Sequence, residues 1–219
     1  MQELSRLQSI STNELEMTLR TLTFIVSVNI RSLPKHINDL RNDFKFKKCS
    51  VICVQETWCS DTYVNDHLNL DGFKLHLTNH GNGKGIASYY KRRFKLTGEV
   101  NHKLFQMTKF SSNHCHVINV YRSQGADTST FLQNLMQLIS HCDNCFIVGD
   151  FNIDFNQDNN HPIINSLLSI GFRQLVKDST HESGSLLDYA FVNSSNNYSI
   201  HHHWPYYTDH AALCIVPLF

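Results

Sequence analysis

The sequence predicts an α/β protein of two mixed β-sheets packed face to face, with helices on the outer faces. Three observations lead there. Short apolar, β-branched runs recur along the chain, as expected for strands buried on both faces. Amphipathic helical stretches separate only some of these runs, so a sheet built from βαβ units alone fits poorly. The composition is globular: of 219 residues, 41% are hydrophobic and 17% charged, which excludes a disordered or fibrous chain.

The elements follow in order. Residues 1–21 read as an N-terminal extension, either a short amphipathic helix or a linker left from a longer parent. Ser11 and Glu14 fit a capping box there, and Leu15, Leu19 and Leu22 follow at helical spacing. Residues 22–219 form the domain. Residues 23–28 (TFIVSV) are its first buried strand. Pro34 suits the first turn of a helix whose Ile37, Leu40 and Phe44 share one face. Residues 50–54 (SVICV) are a second strand. Residues 73–77 and 86–90 flank the glycine-rich turn 81–85 (GNGKG) as a hairpin. Residues 116–120 (HVINV) give another strand. A helix starts near Asp127 or Thr128 and carries Phe131, Leu132, Leu135, Leu138 and Ile139. Residues 145–148 (CFIV) form a strand stopped by Gly149, and Ile163, Ile164, Leu167 and Leu168 mark a helix closed by Gly171. Strands around 187–192, 200–203 and 211–216 complete the chain.

Charge narrows the partners. Lys and Arg number 19 and Asp and Glu 19, for a formal net charge of zero. A global positive field does not hold nucleic acid here, so a phosphate partner must be met by local charge or a bound cation. No apolar run approaches the ~18 residues needed to cross a bilayer. The N-terminus lacks the apolar stretch of a signal peptide. An intracellular, nuclear protein with no membrane partner is expected. The seven cysteines show no framework spacing and read as free thiols in a reducing compartment.

Polar residues stand where the buried strands end. Asn29 follows the first strand and Glu56 the second. Tyr121 closes residues 116–120, Asp150 and Asn152 follow residues 145–148, and Asp209-His210 precede the last strand. Side chains at strand ends are held by the sheet yet reach solvent, which favours a positioned site. In an extended GDFNID segment (149–154), Asp150 and Asn152 project together while Phe151 and Ile153 face the core. Gly149 leaves room for a close approach. Glu56 is a hard oxygen ligand of the kind Mg²⁺ selects. Asp188, where turn becomes strand, is a candidate to fix the tautomer of His210.

Together, Val28-Asn29-Ile, Gln55-Glu56-Thr-Trp, Val120-Tyr121-Arg122, Gly149-Asp150-Phe-Asn152, Ser185-Leu-Leu-Asp188 and Thr208-Asp209-His210 resemble the endonuclease/exonuclease/phosphatase superfamily, over roughly residues 22–219. The segment NIRSLPKH, with THESGSLLD (180–188) and YTDH (207–210), looks most like the apurinic-type endonuclease domains of non-LTR retrotransposons and Helitron-like elements. The resemblance implies a four-layer αββα sandwich with its site at one edge of the sheets. It implies that Glu56 binds Mg²⁺ (Mn²⁺ as substitute), with Asn29 and Asp209 in its shell. Asp150 then activates water, Asn152 donates to a phosphate oxygen, Tyr121 steadies the phosphate, and His210, held by Asp188, contacts the scissile phosphate. Arg122, Ser185 and Thr208 fall within the matching motifs as substrate contacts. The expected activity is nicking of target DNA for a mobile element, leaving 3′-hydroxyl and 5′-phosphate ends. The implied domain is monomeric and fused to, or acting with, a reverse transcriptase or helicase. Arg31 stands where some repair enzymes carry an acidic second metal ligand, and Ser123-Gln124 stand where many relatives carry prolines.

Lys84, Lys91, Arg92, Arg93 and Lys95 add a basic stretch; Lys84, Arg92 and Arg93 are candidate grips on flanking phosphates, against the plainer reading of a solvated hairpin face. A zinc site on Cys142 and Cys145 with His141, His114, Cys115 and His116 lacks the second ligand pair a structural site needs. The competing readings are an abasic-site repair enzyme, a phosphoesterase acting on RNA or a phosphoinositide, and an inactive remnant that binds nucleic acid.

Overall fold

Two six-stranded mixed sheets lie face to face in the structure, a computed structural model that describes residues 23–43, 48–59, 65–78 and 84–218. Expectations for residues 1–22, for Phe44 and for the turn at 79–83 lie outside the described residues. The first sheet contains β1 (Ile25–Asn29), β2 (Val51–Gln55), β3 (Lys74–Thr78), β4 (Ile86–Tyr90), β11 (Tyr198–His203) and β12 (Ala212–Pro217), in the order β11-β12-β1-β2-β4-β3. The second contains β5 (Lys95–His102), β6 (Phe105–Ser111), β7 (His116–Arg122), β8 (Cys145–Asp150), β9 (Arg173–Gln174) and β10 (Asp188–Asn193), in the order β5-β6-β7-β8-β10-β9. Helix α1 (Leu33–Asn42) links β1 to β2, α2 (Thr128–Ile139) links β7 to β8, and α3 (Pro162–Ser169) follows β8.

The two sheets share one plan. Each has a parallel pair at its centre, β1 with β2 and β7 with β8, and every other pairing is antiparallel. Ile25, Val51 and Leu213 of one sheet join Val117 and Phe146 of the other in a shared core. Leu33, Ile37 and Leu40 of α1 cover the outer face of the first sheet against Val26, Val28, Ile52 and Val54. Phe131, Leu135, Ile139, Ile163, Ile164 and Leu167 cover the second. The result is the four-layer αββα sandwich.

Within the sandwich the interior changes character along the strands. At one end it is apolar. Toward the other it becomes a hydrogen-bonded seam. Gln55 Nε2 donates to Asn119 Oδ1 at 2.7 Å, and Asn119 Nδ2 donates to Ala87 O and Ser88 Oγ, each at 3.0 Å. These side chains are fully buried, and their bonds cross from sheet to sheet. The seam locks the two sheets in register at the end where the polar terminations gather.

One expectation is corrected, and three strands have no counterpart in the sequence pattern. The strand at 145–148 is not stopped by Gly149 but runs on to Asp150. Gly149 has φ 141°, and a Cβ there would lie 1.9 Å from Val120 O, so only glycine lets β8 pair this closely with β7. The β5–β6 hairpin was not read. β5 is a largely exposed edge strand with a register shift between Leu96 and Gly98, and β6 mixes buried Gln106 and Thr108 with Phe105, Met107 and Phe110. Neither has a continuous apolar run. β9, with two residues, leaves no periodic signal.

Candidate active site

Topology brings the polar terminations to one edge. The ends of the two parallel pairs coincide there, with Asn29 opposite Gln55 and Tyr121 opposite Asp150. The antiparallel neighbours contribute their starts: Asp188 opposes Asp150 on β10, and the turn carrying Asp209 and His210 leads into β12. Thr208 Oγ1 donates to Asn29 O at 2.7 Å and pins that turn to the end of β1. Glu56, Asn152, Ser185, Asp209 and His210 line a single cleft of about 530 Å³.

Backbone strain is concentrated at this edge. Arg31 (φ 46°), Ser32 (102°), Glu56 (51°), Trp58 (53°) and Asn152 (50°) all adopt left-handed conformations. Non-glycine residues avoid that region unless their surroundings hold them there. The turns after β1, β2 and β8 thereby swing their side chains across the strand ends.

Asp150 is at the centre of the polar contacts. It is buried and accepts from Asn29 Nδ2 (2.9 Å), Asn152 N (2.8 Å) and Asn152 Nδ2 (3.1 Å). Burial, and then the Asp188 carboxylate, push its pKa up to about 8, well above the usual carboxylate range. Asp150 and Asn152 do not meet by strand alternation, because Asn152 is left-handed and turns back onto the carboxylate. Its second amide hydrogen goes to Arg122 O at 2.9 Å. Both N–H groups are therefore committed, and Asn152 clamps Asp150 instead of offering a donor to a phosphate. Phe151 and Ile153 are buried, as the sequence implied.

His210 Nδ1 lies 2.8 Å from Asp188 Oδ2, and both residues are buried. Burial alone would lower the histidine pKa, but the Asp188 charge and hydrogen bond prevail and raise it to about 9. The ring is an imidazolium near neutrality, with its other nitrogen left for the cleft. Asp209 forms an ion pair with Arg31 and lies 3.4 Å from His181 Nε2. Burial opposes ionisation of Asp209, yet the Arg31 charge and then His210 hold its pKa below the usual range. Tyr121 is buried, and burial followed by the Glu56 charge raises its phenol pKa.

Two groups that sequence reasoning left unassigned also belong to the site. His181 lines the cleft, forms an isolated bridge with His210, and packs edge-on against its ring at 4.8 Å. Its Nδ1 accepts from Ser183 N at 3.1 Å, which places the hydrogen on Nε2 facing Asp209. The only sequence signal was its place in THESGSLLD. Arg31 also lines the cleft, half exposed, with its guanidinium 6.0 Å from the Trp58 ring; Trp58 Nε1 donates to Glu56 Oε2 at 3.3 Å.

Other candidates fall elsewhere. Arg122 is buried and directs its guanidinium to Ala126 O (2.7 Å) and Phe151 O (3.3 Å), behind the second sheet and away from the cleft. The Thr208 hydroxyl is used in the latch to Asn29. Lys84 sits at the active edge, where Trp58 N bonds its carbonyl. Arg92 and Arg93 do not. β4 runs antiparallel to β2, with Ile86 opposite Gln55 and Tyr90 opposite Val51, so the residues after Tyr90 emerge at the far end of the sandwich. Arg93 there donates to Ser50 Oγ at 2.6 Å.

The donor set at the edge fits a hard divalent cation. Glu56 and Asp209 offer carboxylate oxygens and Asn29 an amide oxygen that here accepts from Arg31 N at 3.2 Å, and Asp209 Oδ1 is buried with no hydrogen-bond partner among the described residues. Two tighter groups, His181–Asp209–His210 and Asp150–Asp188–His210, have ligand atoms within 4.8 Å of one another. In each histidine Nδ1 is the engaged nitrogen, by Asp188 in His210 and by Ser183 in His181, so Nε2 of both rings stays on the cleft side. Glu56 belongs to neither group and lines the same cleft.

A profile of the endonuclease/exonuclease/phosphatase family matches residues 26–210. The chain belongs to that family. Members are phosphoesterases and nucleases, and the family typically uses divalent metals. A search of curated proteins finds no match. Among solved structures, an AP endonuclease from Archaeoglobus fulgidus is similar at 15% identity and TM-score 0.68, covering 90% of this chain and 100% of its own. A 3′-5′ exonuclease from Neisseria meningitidis aligns at 14% identity and TM-score 0.70, with the same coverage. The endonuclease domain of the telomere-specific non-LTR retrotransposon TRAS1 aligns at 10% identity and TM-score 0.67, covering 89% and 97%. These likenesses share the family's fold. Among the described residues no helix is long and apolar enough to cross a membrane.

Proposed function

We propose that the protein is a Mg²⁺-dependent DNA endonuclease that nicks target DNA for a mobile element. One observation carries the reading: a buried carboxylate with raised pKa, Asp150, and a buried imidazolium, His210, meet at the edge that also presents Glu56. An ion held by Glu56, with Asn29 and Asp209 beside it, would supply positive charge to the phosphate.

The chain's own groups perform the rest. Asp150, clamped by Asn29 and Asn152, takes the proton from the attacking water in its ionised form; with its pKa raised to about 8, that fraction grows as pH rises toward 8. His210, fixed and kept charged by Asp188, donates from its outward nitrogen to a phosphate oxygen as charge develops in the transition state. Arg31 adds a cation where some repair enzymes have a second acidic ligand, Tyr121 steadies the phosphate, and Lys84, whose Nζ also donates to Lys103 O at 2.8 Å, grips a flanking phosphate. In-line attack leaves a 3′-hydroxyl, which is a primer end, and a 5′-phosphate. The monomeric domain would act with a reverse transcriptase or helicase of the parent element, in the nucleus, with residues 1–21 as the junction.

The test presents supercoiled plasmid, an abasic duplex and a phosphoinositide to the protein, each with Mg²⁺ or chelator, alongside Asp150→Ala. Metal-dependent nicking of ordinary plasmid that falls by at least about 10²-fold in the variant is expected. Cleavage confined to abasic DNA supports the repair reading, release of phosphate from the lipid supports the phosphatase reading, and no turnover of any substrate supports an inactive remnant.

A further inference from the structure

The cleft does not end at His210. His181, which lines it, also lines a neighbouring depression together with Ser179 and Trp204. Ser179 and Trp204 in turn line a groove of about 790 Å³ that runs down the side of the sandwich. The groove lies between edge strand β11 and the segment that follows β9, so a continuous path connects the reacting edge to the flank of the molecule. The proposed chemistry uses none of it.

The residues along this path specify what it accepts. Trp204 stands at the junction with 46% of its surface exposed, one of the few large apolar side chains left to solvent. Tyr198 and Ile200 supply an apolar floor from β11. Lys177 is offset by Asp178, so the groove has no surplus positive charge for a row of phosphates. Its remaining polar lining consists of groups that donate and accept hydrogen bonds, His202 and Gln174 among them, and Gln174 Nε2 has no partner among the described residues. A flat aromatic platform with a neutral, amphoteric wall suits nucleobases whose faces and edges are unpaired. A duplex keeps those faces and edges inside its stack.

We infer that the groove holds the unpaired bases of a single DNA strand leaving the scissile phosphate, with Trp204 as the stacking platform at its mouth. The inference rests on the nuclease reading and adds to it a subsite for a strand that unpairs beside the cut.

Binding in chelator separates the two claims, since it needs no turnover. Anisotropy of a fluorescein-labelled single strand, and of the same strand annealed to its complement, is measured with wild type, Trp204→Ala and Trp204→Phe. Trp204 is exposed, so a thermal melt of each variant should match wild type. The expected result is tighter binding of the single strand than of the duplex, weakened about tenfold by Trp204→Ala and largely kept by Trp204→Phe. Equal binding of both forms by the wild type, or a Trp204→Ala variant that binds the single strand as wild type does, overturns the inference. Plasmid nicking with Mg²⁺, run in parallel on wild type, reports on the nuclease reading by itself.

Discussion

Asp188 is the residue on which the protonation of the site turns. Its carboxylate raises the pKa of His210 to about 9, against an ordinary value near 6.5, and also helps raise that of Asp150. In both cases the folded state holds a proton that the unfolded chain gives up at lower pH. The His210 contribution is therefore fully present below pH 6.5 and is lost as pH rises through about 9. Asp150 acts in the same direction from its ordinary value near 3.8 up to about 8, so the two windows overlap. In metal-free protein the His210 contribution to the unfolding free energy should fall by about 3 kcal/mol between pH 6.5 and 9. Asp188→Asn should flatten that slope, as read from denaturant melts in chelator across the range. An equal slope in the variant would remove Asp188 as its source. The same scale explains a role the sequence misassigned: Asn152 looked like a phosphate donor, but nothing in its spacing shows that both amide hydrogens are spent on Asp150 and Arg122 O.

At the scale of elements, the site depends on how closely β7 and β8 approach. Gly149 fixes that approach, since any side chain would collide with Val120 O. Gly149→Ala is expected to cost about 3 kcal/mol or more through strain and displacement of the strand, and with it to shift Asp150; the midpoint of a urea melt measures the loss. A variant as stable as wild type would show that the strands separate without consequence. Most elements were legible because they are periodic or continuously apolar: β1, β2, β7 and β8, and the helical faces of Phe131, Leu135 and Ile139. The β5–β6 hairpin escaped because its buried side includes Gln106 and Thr108, which are satisfied in part across the sandwich by Gly85 N and Ser88 Oγ. A linear pattern does not reveal which polar residues will be satisfied across a sandwich.

For the whole molecule, the two sheets repeat one plan, and the ends of their central parallel pairs form a single edge. That edge was legible as a series of polar residues closing apolar runs, and Asn29, Glu56, Tyr121, Asp150, Asp188, Asp209 and His210, the candidates named on that ground, stand together there. Direction was not legible in the same way: Arg92 and Arg93 are near Lys84 in sequence, yet β4 carries them to the far end. His181 gave no periodic or spacing signal because it reaches His210 through an isolated bridge. The central claim is that this edge works as one metal-dependent centre with separable parts. Single-turnover nicking of supercoiled plasmid, followed across Mg²⁺ concentration for wild type, Glu56→Gln and Asp150→Asn, tests it most directly. Glu56→Gln should require about tenfold more Mg²⁺, and Asp150→Asn should lower the saturating rate at least about 10²-fold at an unchanged Mg²⁺ midpoint. Nicking that needs no metal, or both variants cutting at the wild-type rate, would contradict the account.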